Sequence, residues 1–367
     1  MKKLYTSLDI SNKSWKICFT GGMKKRYQKN LEALDYRELP YLIEGARKRF
    51  GLPMDAPVLC CHEAGLQGFW IHRYLESLGI ESLVVDPASI EVSRRNRRVK
   101  TDRIDANKLM NMLLRHDSGE TEMWAMSRPP APEVEDKRRT HRERDRLKKE
   151  LTQHTNRILS LLRLHGPINV TVGPRLGEVL KNIRTWEDKP LPPKALLEIQ
   201  REYARWKLAY DQEKEILQYM AQETKKAETK TVKKVGTLQS LQGIGLMSSW
   251  ILVHEMFGWR EFKNRKQVGS FLGLTGTPSN SGTSEKEQGI SKAGNARLRT
   301  LMNQLAWLWL RHQPESELSK WFYKKKGKGS KRMKRIAITG LSRKLAIALW
   351  RFVDFGIVPE GAIFSKD

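Results

Sequence analysis

This sequence predicts a mixed α/β N-terminal domain, a helical coiled-coil middle region and a mainly helical C-terminal domain. Three observations carry that reading. Short, alternating β-prone segments interleave with amphipathic stretches over residues 1–125; two long apolar seams of helical period run between 126 and 232; and Gly-rich turns separate strongly helical stretches over 233–367.

The elements follow in order. Leu4–Ile10 and Trp15–Thr20 alternate with period two and are joined by the turn-like "SNK", which predicts a hairpin, with a third strand over Arg26–Asn30. "YRELPYLIEGARKRF" has helical period, and "PVLCCHEAG" reads as a buried strand ending at Glu63. "FWIHRYLESLG" is a helix closed by Gly79, "IESLVVDP" is a strand stopped by Pro87, and "TDRIDANKLMNMLLRH" is a helix from Thr101 onward. A hairpin that feeds α/β crossovers builds one mixed sheet with helices packed on it.

In the middle region, Leu147, Leu151, His154, Ile158, Leu161 and His165 alternate spacings of four and three. A second seam runs through Leu196, Ile199, Tyr203, Trp206, Tyr210, Leu217 and Met220, with Glu213 interrupting it. Both read as coiled-coil packing, within the chain or against a second copy. From Val235 on, "LQSLQGIGLMSSWILVHEMF" predicts a helix, a Gly-x-Gly hairpin and a helix. A loop rich in Gly, Ser and Thr ("SFLGLTGTPSNSGTSEKEQGISKAGN") precedes the helix "ARLRTLMNQLAWLWLRH", the basic run "YKKKGKGSKRMKR" and an apolar helix through Leu345 and Phe352.

Lys and Arg number 68 against 41 Asp and Glu, a net charge of +27, which points to a polyanionic partner. No apolar run approaches the roughly 18 residues that a membrane span needs, and the start "MKKLYTSLDISNKSW" has no apolar signal core, so a cytoplasmic location is expected. Cys18, Cys60 and Cys61 are odd in number and not at metal-ligand spacing, so they read as reduced core residues.

Two aspartates, Asp102 and Asp105, stand at i, i+3 just after the basic run "RRNRRVK". As a pair they suit the first turn of a helix capped by Thr101, where they complement the helix dipole. Asp9 and Glu63 enlarge the pattern, because both end strands that can reach the sheet edge the Asp102 helix would cover. Four converging carboxylates repel one another unless divalent cations bind there. Hard oxygen ligands favour Mg2+ or Mn2+, and two such ions can bracket a phosphodiester. Arg94, Arg95, Arg97, Arg98 and Lys100 would then grip a nucleic-acid backbone beside the metals, unless they form a solvated loop.

The strand order with Asp9 on the first strand, Glu63 on the fourth and a "KTDRIDA" helix resembles the RuvC-like, RNase H-fold domain of the DEDD transposases of bacterial insertion sequences. "HEAGLQGFW" followed by "VVDPASI" also resembles that family around its glutamate, so the resemblance covers about residues 1–116. It implies that Asp9, Glu63, Asp102 and Asp105 hold the metal ions, and that the protein works in a bacterial cytoplasm, associated with the nucleoid.

The C-terminal part carries the resemblance further. "FLGLTGTPSNSG…GISKAGNARLR" is similar to the family's second domain, in which a serine of a Ser-Gly loop is the nucleophile. By position that is Ser281, before Gly282; relatives often show two serines there and this chain has Asn280 in the first place, with Ser279 and Ser284 as the alternatives. A phosphoserine intermediate would conserve phosphodiester energy and make the reaction recombination. Gly243 and Gly245 of the helix-hairpin-helix would free backbone N–H groups for phosphate, and Lys292, Arg297 and Arg299 are further candidates for phosphate contacts, against a solvated-charge reading. The resemblance also implies a structured guide RNA and a dimer or tetramer; the basic stretches Arg138–Arg163 and Lys324–Arg335, the latter including Lys331 and Arg332, offer surface for RNA as well as DNA. A metal-dependent nuclease or Holliday-junction resolvase using the acids alone, and a noncatalytic nucleic-acid-binding protein, are the competing readings.

Overall fold

The computed structural model describes residues 2–22, 25–65, 68–90, 102–166, 169–281, 284–327 and 329–365; the side chains of 88, 102–105, 278–281 and 284–288 lie outside that description. The chain divides into two compact units, Met1–Ala131 and Pro132–Asp367.

In the first unit, β1 (Leu4–Ile10), β2 (Ser14–Thr20) and β3 (Tyr27–Glu32) form an antiparallel meander. After α1 (Leu39–Arg49), β4 (Val58–Glu63) returns parallel to β1; α2 (Trp70–Ser77) then leads to β5 (Glu81–Val85), parallel to β4. The five strands stand in the order β3-β2-β1-β4-β5. Alternation along each strand splits the core between the two sheet faces. Leu4, Leu8, Ile17 and Cys60 pack with Leu39 and Ile43 of α1 and Ile71 and Leu75 of α2. On the other face Cys18, Leu59, Cys61 and Val85 pack against Ala106, Leu109, Met110 and Leu113 of α3 (Asp102–Asp117). The three cysteines are buried and free, and burial pushes the Cys60 and Cys61 thiols well above their ordinary range.

The second unit opens with α4 (Pro132–Lys137), α5 (Arg139–Arg163), the short α6 (Leu176–Val179) and α7 (Pro193–Lys226). The expected seams meet within the chain. Ile158 and Leu162 of α5 pack with Ile199 and Trp206 of α7. The helices run antiparallel, as Arg144–Glu213 at 2.8 Å and His154–Glu202 at 2.6 Å show. Glu213, which interrupts the apolar pattern, is thus an ion-pair partner of the facing helix. His165 falls outside the seam, because α5 stops at Arg163 and Leu162 provides the last buried contact.

Met220, near the end of α7, joins the core of the C-terminal helices, so the helical region continues into the rest of the unit. There α8 (Lys230–Gln239), α9 (Leu246–Leu252), a π-helical turn (Val253–Phe257) and α10 (Arg265–Phe271) precede two strands, β6 (Gly276–Ser281) and β7 (Ser284–Ile290). α11 (Ala296–His312), α12 (Glu317–Lys326) and α13 (Lys331–Phe355) complete it. The Gly/Ser/Thr-rich segment expected as a loop is therefore largely an antiparallel β-ribbon. Its strands carry no apolar stripe, which is why they read as a loop. Among the described residues, no helix is long and apolar enough to cross a membrane.

Candidate active site

Leu8 of β1 and His62 of β4 are the last register partners of the parallel pair, so the next residues, Asp9 and Glu63, stand side by side where the two strands part, still paired with Lys16 of β2 and Val85 of β5. Both border a cleft of about 250 Å3 whose other walls include Ile10, His62 and Ile71, on the α1/α2 side of the sheet. By strand alternation Asp9 follows Ser7, and Glu63 follows Cys61, on the face that α3 covers.

That helix is fastened to the same two strands. The Ser7 hydroxyl donates to the Ala106 carbonyl at 2.8 Å, and the Cys61 thiol lies 3.7 Å from the Leu109 carbonyl. At the opposite end the Tyr5 hydroxyl donates to Asp117 at 2.7 Å, which also pairs with Lys3 at 2.7 Å. The Asp117 carboxyl is held below its usual range by those hydrogen bonds, first from Lys3 and then from Tyr5. α3 therefore runs antiparallel to β1, and its first turn, which contains Asp102 and Asp105, begins at the end of the sheet where Asp9 and Glu63 emerge. Arg94, Arg95, Arg97, Arg98 and Lys100 lie outside the described residues.

An all-carboxylate donor set suits a hard divalent cation. Among the described side chains no group of three His, Cys, Asp or Glu is close enough to hold a metal; the carboxylates of Asp102 and Asp105 are outside that set. One neighbour escaped the sequence reading. His62 is buried, with Nδ1 3.2 Å from the Glu63 carbonyl and no hydrogen-bond partner at Nε2, and burial lowers its pKa to about 4. Its imidazole is therefore neutral at physiological pH, on the opposite face of β4 from the Glu63 side chain, and its place directly before Glu63 is the signal it left in the sequence.

In the second unit Ser281 closes β6 and is paired in register with Ser284, the first residue of β7. The base of this ribbon is clasped to the end of α10. Ser291 N–H donates to the Thr275 carbonyl at 2.9 Å, Lys292 N–H to Gly273 at 3.2 Å, and Asn295 N–H to Phe271 at 2.9 Å. Glycine is required on both sides. Gly273 (φ +64°) approaches the Ala293 carbonyl so closely that a Cβ would stand 2.3 Å from it, and a Cβ on Gly294 (φ +119°) would stand 2.5 Å from the Phe271 carbonyl. Lys292 is itself left-handed at φ +56°. The Asn295 side chain then accepts from Leu298 N–H and caps α11.

The predicted phosphate ligands fall into separate places. The Arg299 guanidinium donates to the Leu272 and Lys292 carbonyls at 3.1 and 3.0 Å, which makes it part of the clasp. Arg297 pairs with Asp145 of α5 at 2.5 Å. Gly243 (φ +93°) packs within 3.0 Å of His312 Cβ, measured from where its own Cβ would be, and Gly245 is the N-cap of α9. Lys331 and Arg332 are exposed on the first turn of α13. A groove of about 920 Å3 beside Thr275 has Arg265, Lys266, Arg343 and Arg351 on its walls.

A second missed residue is Glu255 in the π-helical turn. It is 2% exposed and accepts from His141 Nε2 at 2.9 Å and from Arg142 Nε at 2.8 Å. Burial pushes its carboxyl up, but these hydrogen bonds prevail and hold it at about 2. π-turns recur at functional sites; from sequence, this one looked like uninterrupted α-helix.

A basic chain with paired strand-end acids and a separate serine-bearing ribbon has the makings of an enzyme that processes nucleic acid, and comparison with known proteins narrows the class. Residues 235–320 match the family described as Transposase IS116/IS110/IS902. The chain is 40% identical to the "Putative transposase y4rJ" of Sinorhizobium fredii, over 99% of this chain and 94% of that one. It is 24% identical to the transposase for insertion sequence element IS1328 of Yersinia enterocolitica, over 87% of this chain and 91% of that one. The transposase for IS1533 of Leptospira borgpetersenii is also 24% identical, over 74% of each chain. The protein is a DNA transposase. It belongs to the IS116/IS110/IS902 family of insertion-sequence transposases.

Proposed function

We propose that the protein cleaves and rejoins DNA strands through a covalent ester on Ser281, aided by divalent cations held by Asp9, Glu63, Asp102 and Asp105. The observation that carries this reading is that Asp9 and Glu63 follow directly on the register pair Leu8–His62 of two neighbouring strands, with the acidic first turn of α3 starting at the same end of the sheet. The strand order β3-β2-β1-β4-β5 is that of an RNase H-like sheet, which supports a RuvC-like assignment for the first unit.

When bound, Mg2+ or Mn2+ would supply charge stabilisation to a phosphodiester and help activate the attacking oxygen. The protein's own part is to fix Asp9 and Glu63 on neighbouring strands and Asp102 and Asp105 on the first turn of α3. Ser281 contributes its hydroxyl oxygen: the proton leaves, a bond to phosphorus forms, and the bond to the departing strand breaks with release of a hydroxyl end. Attack by another strand's hydroxyl reverses these changes and rejoins DNA without ATP. The clasp at Gly273 and Gly294 holds the strand that ends in Ser281. A structured guide RNA and a dimeric or tetrameric assembly belong to the same proposal, supported by the charge of +27 and the basic helix α5.

The test is an SDS-resistant protein–DNA adduct in cells carrying the gene with its flanking DNA. We expect an adduct in wild type and none in Ser281→Ala. Cut DNA with no adduct in wild type would favour a metal-dependent nuclease or junction resolvase, and an adduct that persists in Ser281→Ala would move the nucleophile to Ser279 or Ser284.

A further inference from the structure

On the outer face of α11, Gln304, Trp307, Leu308 and Arg311 follow the i, i+3, i+4, i+7 spacing of a single helix stripe, and all four are exposed. Trp307 is 44% exposed, whereas Trp309 two residues on is buried. Tyr323 on α12 is 53% exposed. Both rings pack on the buried Phe322, which stands edge-on to Trp307 at 6.0 Å and to Tyr323 at 5.4 Å between centroids, so one aromatic cluster reaches the surface at both rings.

Cations surround them. Lys334 of α13 sits over the Trp307 ring, 5.0 Å from its centroid. Lys324 and Lys325 follow Tyr323 directly, and Lys331, Arg332 and Arg335 are exposed on the first turns of α13. Among the described residues, none of these cations has a carboxylate partner; the nearest ion pair in sequence, Lys320–Glu317, lies one turn earlier. Placing like charges on the first turn of α13 also opposes the helix dipole, a cost that a bound anion would remove.

We infer that this surface binds a single strand of DNA, with unpaired bases stacked on Trp307 and Tyr323 and the phosphates held by Lys324, Lys325, Lys334 and Arg335. Charge decides the class of partner. A second copy of this patch would bring two dense cationic fields together, whereas a polyanion is complementary to it. The aromatics decide the form. A duplex offers phosphates and keeps its base faces stacked, but a separated strand exposes a π-face at every base. Strand exchange by a transposase creates such strands. The inference does not depend on which residues perform the chemistry.

The test is equilibrium binding of the full chain, in EDTA, to a labelled oligothymidine and to a duplex of equal length. Trp307→Ala should weaken single-strand binding about ten-fold and leave duplex binding within about two-fold, and Trp307→Phe should restore most of the loss. Lys324→Gln with Lys325→Gln should reduce the slope of log K against log salt by about 0.7 per charge on the single strand. Unchanged single-strand affinity in Trp307→Ala, in a protein whose thermal transition matches wild type, would overturn the inference. So would an equal loss on duplex, a strong preference for oligouridine over oligothymidine, or a wild-type dimer that Trp307→Ala converts to monomer.

Discussion

Ser7 and Ala106 are joined by a buried hydrogen bond, hydroxyl to carbonyl at 2.8 Å, that ties the middle of β1 to the second turn of α3. It stands two residues before Asp9 on the strand and one residue after Asp105 on the helix. A contact between two uncharged groups therefore sets the spacing of the proposed charged ones. Ser7→Ala should lower stability by about 1 kcal/mol, read as a shift of the urea midpoint at unchanged slope. It should also raise the Mg2+ concentration needed for cleavage; an unchanged requirement would show that α3 is positioned by its apolar contacts alone.

Asp9→Asn and Glu63→Gln should each reduce strand cleavage by on the order of a thousand-fold, because each removes an anionic ligand from the proposed cation site. Affinity for DNA should stay within about two-fold, since it comes from cations elsewhere in the chain. Parallel cleavage and gel-shift assays check both halves; cleavage at the wild-type rate would exclude the acidic cleft from the chemistry.

Acid should destabilise the second unit in two stages. His254 is buried, and chiefly for that reason its pKa is lowered from 6.5 to about 3. The unfolded chain therefore takes up a proton as the pH falls below about 6.5 while the folded chain does not, and stability declines. Glu255, held at about 2 against an ordinary 4.5, adds a second loss as the pH falls from 4.5 toward 2. Thermal midpoints between pH 7 and 3 should show both. Glu255→Gln should lose on the order of 3 kcal/mol at pH 7, leaving the buried charge of Arg138, 3.9 Å away, uncompensated, and should flatten the lower stage.

Gly273→Ala should cost about 2 kcal/mol or more, since it combines a left-handed backbone with a collision against the Ala293 carbonyl. Gly289→Ala is the comparison: Gly289 has φ +100° but nothing within 4 Å of its Cβ direction, so only the backbone cost, about 1 kcal/mol, should appear. Denaturation of both variants separates crowding from conformation. Gly273→Ala should also depress adduct formation more than its stability loss explains.

Much of the first unit was legible because its central strands β1, β2 and β4 are largely buried and its helices are amphipathic, so period and punctuation coincide. The order of β and α segments, the strand ends at Asp9 and Glu63, and the closure of α2 before Gly79 all follow from such local signals. What escaped depends on partners distant in sequence. The β6–β7 ribbon has a polar sequence whose strands pair with each other, and Ile290 at its base packs against the core. Arg299 reads as a surface charge until the Leu272 and Lys292 carbonyls are brought to it. Glu255 looks like a helix-surface acid, and it is buried because α5 delivers His141 and Arg142. Glu202 is hidden in the same way by His154 and Arg157 of α5.

The clasp below the ribbon has a mechanical consequence. Six residues of β6 extend about 17 Å beyond their anchorage, so the ribbon is a lever whose far end carries Ser281. A tilt of about 3° at the base carries that end through roughly 1 Å, enough to cost a reacting oxygen on the order of a hundred-fold in rate. For the proposed chemistry at Ser281, the angular tolerance is thus set at Gly273 and Gly294, a full strand's length away.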